Sequence, residues 1–561
     1  MRIVIVGGVA AGMSAAARAR RLDETAEIIV LEKGSEVSFA NCGLPYHVSG
    51  EISEAADLLL HSPSSLRAAL DLDVRLHHEV TDIDTAARIV VVDTPDGVIE
   101  LSYDALVLTP GAAALRPPLP GLDSARVRTL RTVADAVALR DEVSSGARRA
   151  VVLGAGFIGI EAAEALRHAG LSVDVVELAP HALPPLEREL ATLVHEELQT
   201  LGIAMHAGVA AEAIEAGTDV DRVRLGDGTV IDADLVVLSV GVRADTAFAA
   251  GAGIETARGA IVVDDRGRTS APGIWAAGDA TVSVDAITGT VRPVALAGPA
   301  NRAGRLIADD IVGGDEAARR IPRTLGTAIV RVGSLTVAMT GANRRSLDEA
   351  GFAYETIHLH PNQHAGYFPG AAPIHLIAHI DPVDGTILGA QAAGVEGVDK
   401  RIDVIATAIR GGLVAPDLID LDLSYSPPYG SAKDAANMLG MIAENLLTGR
   451  LRLWHAADAT DDADVLVVDV RTPGEFVTGH LRNAVNIPHT ELRDRIEEVR
   501  DAAAGRPVRV LCAAGVRSNI AHRVLVSHGF DSSSLSGGTR TLRQWFGADV
   551  DRVLVTEGVL A

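Results

Sequence analysis

The chain has 561 residues, of which 48% are hydrophobic and 22% are charged, and its formal net charge is −24 at pH 7. This length exceeds what one hydrophobic core organises, so the composition predicts several folded globular domains. The strong negative charge excludes nonspecific binding to nucleic acid and docking on anionic membranes, although it allows small anionic ligands.

The chain starts with a strand-like apolar run over residues 3–6, and no segment reaches the roughly 18 uninterrupted apolar residues that a membrane span requires. We therefore expect a soluble, cytoplasmic protein. There are only two cysteines, Cys42 and Cys512, and neither lies in a cluster with zinc-ligand spacing, so no metal site is expected. A disulfide between them is not expected in a reducing compartment.

The first predicted unit is a strand, a glycine turn, a helix and a second strand over residues 28–32. Glu32 ends the second strand about 20 residues after the turn, the place of an acid that binds a ribose hydroxyl. Val9 stands where the second glycine of the dinucleotide pattern is expected. The residues expected to contact this first dinucleotide are Gly7, Gly8, Ala10, Ala11, Gly12, Glu32 and Lys33.

The same unit recurs from residue 150, with a better formed turn and a second acid, Glu177. Duplication of a strand, glycine turn, helix, strand and acid predicts two Rossmann modules with a pyrophosphate at each helix N-terminus. Glu177 would accept a bond from a 2′-hydroxyl and repel a 2′-phosphate, which favours NADH, with NADPH as the alternative. The candidate residues of this module are Gly154, Gly156, Phe157, Ile158, Gly159, Glu161 and Glu177.

Three later strand segments, at residues 105–111, 235–241 and 274–280, belong to a chain that leaves the first module and returns to it. Their order predicts one dinucleotide domain inserted into another, with crossovers near residues 112 and 242. Their candidate ligand-binding residues are Thr109, Pro110, Gly111, Gly241, Gly278 and Asp279. Residues 326–445 alternate strands and helices and predict a further α/β domain.

The segment around the first cysteine contains Ser38, Asn41 and Cys42, followed by Gly43, Leu44, Pro45 and Tyr46. With it, residues 1–445 resemble the single-cysteine branch of the pyridine nucleotide–disulfide oxidoreductases, which holds coenzyme A disulfide reductases and NADH oxidases and peroxidases. The resemblance implies FAD, with Asp279 at the ribityl chain and Glu161 near the nicotinamide. It leaves Cys42 two options, a mixed disulfide with an outside thiol or a sulfenic acid.

Two tyrosine segments, residues 364–370 and 424–429, resemble those of the coenzyme A disulfide reductases. In that family Tyr367 and Tyr425 would come from the second subunit and approach the thiol, which implies a homodimer and a coenzyme A substrate. A phenol can donate a proton or hydrogen bond to a departing sulfur. Arg18 and Arg21 could bind coenzyme A phosphates, or could simply form a solvated helix face.

The last hundred residues resemble a rhodanese domain, on residues 467–476, residues 479–488 and the loop from Cys512 to Ser518. Converging backbone N–H groups would stabilise a thiolate and then a persulfide at Cys512, and Arg517 would add positive charge. An inactive rhodanese used for docking is the alternative, which the presence of Cys512 disfavours.

The resemblance sets the predicted domains. They are an FAD domain (1–112 and 242–325), an NAD(P)H domain (113–241), a dimerisation domain (326–445), a linker (446–462) and a rhodanese domain (463–561). The predicted activity is NADH-driven reduction of coenzyme A persulfide, polysulfide or disulfide through Cys42, with Cys512 carrying sulfane sulfur. The alternatives are an NADH oxidase or peroxidase that needs no coenzyme A, and a nonenzymatic redox sensor or sulfur carrier.

Overall fold

A computed structural model describes residues 1–317, 319–459 and 464–556. The chain folds into two compact units. The first consists of Met1–Pro180 and Gln199–Gly326, and the second of His181–Leu198 and Thr327–Ala561. The predicted mixed α/β class, with two Rossmann-like modules, is confirmed by the sheets described below.

The first sheet of the first unit has five parallel strands, in the spatial order Ile274–Ala276, Ala105–Leu108, Arg2–Val6, Glu27–Glu32 and Asp73–Leu76. The helices Ala10–Leu22 and Ala297–Ala317 pack together beside it. Its central strands are apolar on both faces because both faces are covered, as parallel sheets require.

The second sheet repeats this plan with five parallel strands, in the order Ile203–Ala207, Ser172–Glu177, Arg149–Leu153, Leu235–Leu238 and Val127–Arg128. The helix Phe157–His168 packs on it. The predicted duplication is thus confirmed as two separate parallel sheets.

Two short strands flank the second sheet in sequence, Ala112–Ala114 before it and Val242–Ala244 after it. They pair antiparallel, with Val242 opposite Ala114. The two predicted crossovers therefore lie side by side. The other strands of this unit are Glu79–Asp84, Ile89–Thr94, Gly97–Ser102, Ala211–Glu215, Asp221–Leu225, Val230–Ala233, Thr256–Ala257, Ala260–Ile261, Val282–Val284 and Val291–Pro293. Its other helices are Leu44–Ser49, Pro63–Leu70, Val133–Ser144 and Ala247–Gly251, with 3₁₀ turns at Asn41–Gly43, Ala55–Leu58 and Gly278–Ala280.

In the second unit, an antiparallel five-stranded sheet has the order Ala328–Val332, Leu335–Gly341, Ile387–Gly394, Ile374–Ile380 and Glu355–Leu359. Its apolar core also takes side chains from the helices Val398–Gly411 and Ala435–Leu447. A short helix, Arg344–Ala350, and a 3₁₀ turn, Ala415–Asp420, complete this part.

The remaining sheet has five parallel strands, in the order Leu453–Trp454, Ser532–Leu535, Val508–Leu511, Leu466–Asp469 and Val485–Asn486. Helices Pro473–Val477, Ile496–Ala503, Val516–Ser527 and Gly538–Phe546 accompany it, with 3₁₀ turns at Ala456–Asp458 and Gly547–Arg552. A small antiparallel pair joins His480–Leu481 to Leu554–Val555.

The linker predicted over residues 446–462 requires correction. Leu453 and Trp454 form the edge strand of the last sheet, and the buried Trp454 donates its indole N–H to the carbonyl of Val510 at 3.2 Å. A strand of two residues carries too little local pattern to be recognised. Residues 460–462 of the predicted linker lie outside the described residues.

The nicotinamide segment predicted over residues 113–241 also differs from the structure, because His181–Leu198 belongs to the second unit. Two buried acids hold it there. Arg344 contacts Glu187 at 2.9 Å and Glu189 at 2.7 Å, and His358 bonds Glu189 at 2.8 Å. Hydrogen bonds from His379 and Arg344 to Glu187, and from His358 and Arg344 to Glu189, hold the pKa of both carboxyls below the ordinary value despite their burial.

No helix among the described residues combines the length and the apolar character that a membrane span needs.

Candidate active sites

The first glycine turn packs directly on the end of the neighbouring strand. Gly7 has φ of +95°, and a Cβ there would lie 2.0 Å from the carbonyl oxygen of Thr109. A Cβ on Gly12 would lie 1.9 Å from the carbonyl oxygen of Gly7. The Thr109 hydroxyl donates to the carbonyl of Val6 at 2.7 Å. Only glycine fits these two positions, as the sequence pattern predicted.

The second turn repeats this packing. A Cβ on Gly154 would lie 2.5 Å from the Ser239 carbonyl oxygen, and one on Gly159 would lie 2.0 Å from the Gly154 carbonyl oxygen. At Gly156, by contrast, a Cβ would meet no atom within 4 Å. The protein itself therefore does not demand a glycine at this place, which explains how the first module accommodates Val9 there.

Both predicted ribose acids also close their own turns. Glu32 accepts from the backbone N–H groups of Gly8 and Gly34, each at 2.8 Å. Glu177 accepts from Ala155 at 2.7 Å and from Ala179 at 2.8 Å. A carboxylate has about four acceptor sites, so each retains capacity for a ribose hydroxyl. The helices that follow begin at Ala10 and Phe157, where free N–H groups favour a pyrophosphate.

Other predicted cofactor residues lie at strand ends. Gly111 and Gly241 have φ of +74° and +116°, and each directly precedes one of the two crossover strands. Lys33 forms an ion pair with Asp245. Asp279 lies in the 3₁₀ turn Gly278–Ala280, after its strand.

A cavity of about 380 Å³ adjoins Asp279. Its lining is mainly apolar with a few charged groups, and consists of Leu115, Val242, Arg243, Ala244, Arg258, Gly259, Ala260, Asp279, Pro293 and Ala295. Burial raises the pKa of Asp279, and Arg131, 3.7 Å away, acts in the opposite direction. Apolar walls with few polar groups are typical of cofactor sites, so these residues fit part of a flavin.

The segment of Cys42 is attached to the first glycine turn. Ser38, with φ of +52°, donates its backbone N–H to the carbonyl of Gly8 at 2.8 Å. Asn41 and Cys42 follow in the 3₁₀ turn Asn41–Gly43, and both are exposed. This attachment brings the predicted redox cysteine to the glycine turn of the first Rossmann-like module.

An arginine that no sequence motif marks holds the loop that follows the helix Leu44–Ser49, after Cys42. Arg140, from the helix Val133–Ser144, donates to the carbonyl oxygens of Ser53 at 2.5 Å and Ile52 at 3.3 Å. No local motif could have revealed it, because its partners lie almost ninety residues earlier in the chain.

Burial and two neighbouring acids raise the pKa of the first cysteine. Partial burial raises the pKa of Cys42, and the carboxylates of Glu161 and Asp279 raise it further. Both acids were predicted as cofactor residues, so the structure brings Cys42, Glu161 and Asp279 together within the first unit. The arrangement favours the thiol over the thiolate in the chain by itself.

The predicted tyrosines are also paired. The hydroxyl oxygens of Tyr367 and Tyr425 are 3.1 Å apart, and both side chains are exposed. The hydrogen bond from Tyr425 raises the pKa of Tyr367. Two neighbouring phenols offer a donor and an acceptor on one surface of the second unit.

A buried arginine supports both tyrosine segments. Arg401 donates to the carbonyl oxygen of Gln363 at 2.7 Å and pairs with Asp434 at 2.6 Å. Gln363 lies just before Tyr367, and Asp434 follows Tyr425 and caps the helix Ala435–Leu447. The side chains of Arg401 and Asp434 are 2% and 5% exposed, so this ion pair is shielded from water. The sequence analysis missed this positioning residue.

The second cysteine lies at the carboxyl end of the strand Val508–Leu511 and is only 1% exposed. The N–H of Gly515 donates to its sulfur at 3.2 Å, and the Ser518 hydroxyl lies 3.4 Å away. Thr539 donates its N–H to the Cys512 carbonyl at 2.8 Å, which fixes the loop from behind. The structure thus places one backbone N–H, that of Gly515, on the sulfur of Cys512, and the stabilisation of a thiolate there stays a prediction.

The predicted arginines differ in their partners. Arg517 donates both terminal nitrogens to Glu475, each at 2.7 Å. Arg18 contacts Asp309 at 2.6 Å, so it would have to leave this carboxylate in order to bind a phosphate. Arg21 is exposed at the end of the helix Ala10–Leu22.

Three family descriptions match the chain. Pyridine nucleotide-disulphide oxidoreductase matches residues 1–300, the dimerisation domain of the same family matches residues 327–436, and the rhodanese-like domain matches residues 454–543.

Two of the similar curated proteins carry different names. The coenzyme A disulfide reductase of Staphylococcus haemolyticus is 32% identical over 449 residues, which cover 79% of this chain and 100% of the relative. The NADH oxidase of Methanocaldococcus jannaschii is 32% identical over 452 residues, covering 80% and 99%.

Solved structures match nearly the whole chain. The crystal structure of reduced Bacillus anthracis CoADR-RHD is 38% identical, with a TM-score of 0.94 and coverage of 98% of both chains. The structure of an NAD-dependent persulfide reductase from A. fulgidus is 34% identical, with a TM-score of 0.89, covering 96% of this chain and 100% of that one. The resemblance expected from the sequence is confirmed: this chain belongs to the pyridine nucleotide-disulphide oxidoreductase family and carries a rhodanese-like domain.

Proposed function

We propose that this chain is an FAD-dependent, NADH-driven reductase of coenzyme A persulfides and disulfides, in which Cys42 performs the reduction and Cys512 carries sulfane sulfur. The observation that carries the proposal is the presence of two different cysteine sites in one chain. Cys42 lies on the FAD module beside Glu161 and Asp279, and Cys512 lies in a formed rhodanese loop.

The domain assignment follows the fold. We assign residues 1–112 and 242–325 to FAD, 113–241 to the nicotinamide nucleotide without the segment His181–Leu198, and 326–445 to dimerisation. The rhodanese domain is extended from residue 463 back to Leu453, because Leu453–Trp454 joins its sheet. The reducing chemistry and the unpaired cysteines favour the cytoplasm.

Glu177 supports NADH as the reductant. Its carboxylate is held by Ala155 and Ala179 at the end of the second strand, where the nucleotide ribose would lie. Because this charge is fixed, a 2′-phosphate would meet a carboxylate that cannot turn away. NADPH is the weaker alternative.

Asp279, Gly278 and the apolar cavity would hold the flavin, and the turn of Gly7 and Gly12 would hold its pyrophosphate. When bound, FAD supplies the passage of two electrons from the nicotinamide to sulfur.

The chain's own chemistry begins at Cys42. Its thiolate attacks the inner sulfur of coenzyme A persulfide, so that a Cys42–coenzyme A disulfide forms and hydrosulfide leaves. Reduction of this disulfide by two electrons releases the coenzyme A thiolate and restores the Cys42 thiolate. With coenzyme A disulfide, the same attack releases a coenzyme A thiolate in place of hydrosulfide.

Tyr367 and Tyr425 would protonate or position the departing sulfur in the dimer, where one protomer's tyrosines serve the other protomer's Cys42. Their mutual hydrogen bond supports this role, because one phenol orients the proton of the other. Arg21 is the freer of the two predicted arginines for coenzyme A phosphates, since Arg18 is paired with Asp309.

The test compares NADH oxidation by the FAD-loaded protein in three assays: without oxygen in the presence of coenzyme A persulfide, without oxygen in the presence of coenzyme A disulfide, and in air with neither. Turnover with the coenzyme A substrates that is lost in Cys42→Ser supports the proposal. Failure of both coenzyme A substrates to increase turnover above the rate in air would contradict it.

An NADH oxidase cycling Cys42 through sulfenic acid is the second candidate. It is favoured by the similarity to the Methanocaldococcus jannaschii NADH oxidase. It predicts equal turnover in air with and without coenzyme A species, and it assigns no task to Cys512.

A further inference from the structure

The rhodanese loop carries one cationic side chain, and this cation is already neutralised. Both terminal nitrogens of Arg517 donate to the two oxygens of Glu475 at 2.7 Å, a bidentate arrangement. Bonding to Glu475 raises the pKa of Arg517, and the nearby Cys512 also contributes. The guanidinium therefore lies at the cysteine, but its charge is matched by a carboxylate.

Glu475 is held in place from its other side. Its Oε2 accepts from the backbone N–H of Thr472 at 3.1 Å and from the Thr472 hydroxyl at 2.9 Å, which forms the cap of the helix Pro473–Val477. Hydrogen bonds from Arg517, followed by those from Thr472, lower the pKa of Glu475 to about 2. The acid is thus ionised at neutral pH, and Thr472 orients it.

The rest of the loop adds no charge. Ala513, Ala514 and Val516 are uncharged, and the Cys512 sulfur interacts with the N–H of Gly515, the hydroxyl of Ser518 and the guanidinium of Arg517. The Ser518 hydroxyl is itself engaged, since it donates to the Gly515 carbonyl at 3.0 Å and accepts from Ser534 at 2.9 Å. A dianion that entered this loop would face a guanidinium already shared with a fixed carboxylate.

We infer that Glu475 is a specificity-determining residue that makes Cys512 accept sulfur from alkyl persulfides and discriminate against the dianion thiosulfate. The inference rests on the sulfur-carrying role proposed for Cys512. Thiosulfate brings two negative charges to a loop whose one cationic side chain, Arg517, is paired, so it gains little attraction there and meets the charge of Glu475. An alkyl persulfide brings at most one charge, at the sulfur that reacts.

The transfer step balances without an external oxidant or reductant. The Cys512 thiolate attacks the terminal sulfur of R–S–SH, a new S–S bond forms at Cys512, and the donor's S–S bond breaks. R–S⁻ leaves with the electron pair, and the proton stays on the transferred sulfur, which gives Cys512–S–SH. The corresponding step with thiosulfate would release sulfite.

The experiment measures persulfide formation on Cys512 in the full-length protein. NADH is left out, so that catalytic turnover through Cys42 does not take place. Glutathione persulfide or thiosulfate is added anaerobically, the reaction is stopped with iodoacetamide, and the modified Cys512 peptide is quantified by mass spectrometry. We expect the rate constant with glutathione persulfide to exceed that with thiosulfate by about 100-fold or more. Glu475→Gln, which keeps an oxygen for the Thr472 bonds, should raise the thiosulfate rate by about 10-fold and change the persulfide rate by less than about 3-fold.

A second variant leaves the ion pair intact. Val516 is 62% exposed on the loop, so Val516→Lys adds an unpaired cation without disturbing the core, and it should also raise the thiosulfate rate. Ile520, 42% exposed one helical turn later, supplies the matched control Ile520→Lys, which should have a smaller effect.

The outcomes separate this inference from the proposed function. Equal rates with the two donors, or proportional losses for both donors in Glu475→Gln with no gain in Val516→Lys, would overturn the specificity role and leave the carrier role intact. Absence of sulfur on Cys512 with either donor would overturn both, whereas the NADH assay of Cys42 would be unaffected.

Discussion

The two cysteines occupy opposite environments. Cys42 is exposed in a short 3₁₀ turn, and the acids Glu161 and Asp279 add to the effect of burial in raising its pKa. Cys512 is buried, and an N–H group from Gly515 points at its sulfur. Exposure suits contact with a bulky disulfide, whereas a buried sulfur beside a donor suits a cargo of one atom. The comparison indicates that reduction and sulfur storage are divided between two sites.

The largest expected effects come from replacing each cysteine, which tests directly whether reduction and sulfur storage are divided between two sites. Cys512→Ser should abolish sulfur loading from glutathione persulfide but leave NADH oxidation with coenzyme A disulfide within about 2-fold of the unmodified protein, because that reaction needs only Cys42. Cys42→Ser should show the reverse pattern, with NADH oxidation reduced by at least about 1,000-fold. Parallel loss of both activities in either variant would show that the two sites act as one.

The next effect concerns the phenols proposed to serve Cys42. Tyr367→Phe and Tyr425→Phe should each lower kcat for coenzyme A persulfide by up to about 100-fold, since each removes one phenol and with it the 3.1 Å hydrogen bond between the two. Tyr429→Phe is the matched control, because Tyr429 is also exposed and lies in the same segment. An equal loss in the control would assign the effect to surface disturbance.

The support of the tyrosine pair gives a stability prediction. Arg401→Met leaves Asp434 buried without its ion-pair partner, which should lower the free energy of unfolding of the second unit by about 3 kcal/mol or more. Thermal denaturation followed by circular dichroism measures it. Arg345→Met removes an exposed pair with Glu349 and should change the stability by less than about 0.5 kcal/mol. Similar small shifts in both variants would contradict the role of Arg401.

The smallest effect sharpens the electrostatic difference between the cysteines. Glu161→Gln removes a negative charge near Cys42, so the raised pKa of the thiol should fall and the thiolate fraction at pH 7 should increase. We expect iodoacetamide to label Cys42 about 3-fold faster at pH 7, with the midpoint of its pH profile moved to lower pH. Cys512 in the same molecule is the internal control. An unchanged midpoint would mean that Glu161 does not act on Cys42.

The spacing of residues along the chain was sufficient to predict the two repeated strand–turn–helix units. The turns of Gly7 and Gly154 and the acids Glu32 and Glu177 were all predicted, because tight turns and strand ends leave patterns within about twenty-five residues. The same holds for the loop of Cys512, whose strand, glycine and helix are consecutive.

Pairings between distant segments were not predictable in this way. The sequence showed Val9 as a departure from the pattern, but only the open space at the equivalent Gly156 explains why it is accepted. The edge strand Leu453–Trp454 is too short to show a period, and its partner lies about eighty residues later.

The sequence by itself determined the two dinucleotide modules, the two separate cysteine segments and the family, because each depends on residues that are neighbours in the chain. The tertiary structure alone decided which charges are neutralised. Glu475 meets Arg517 across 42 residues, and Arg401 meets Asp434 across 33. Attraction between charges depends on their distance in space and on their burial, and the fold sets both of these quantities.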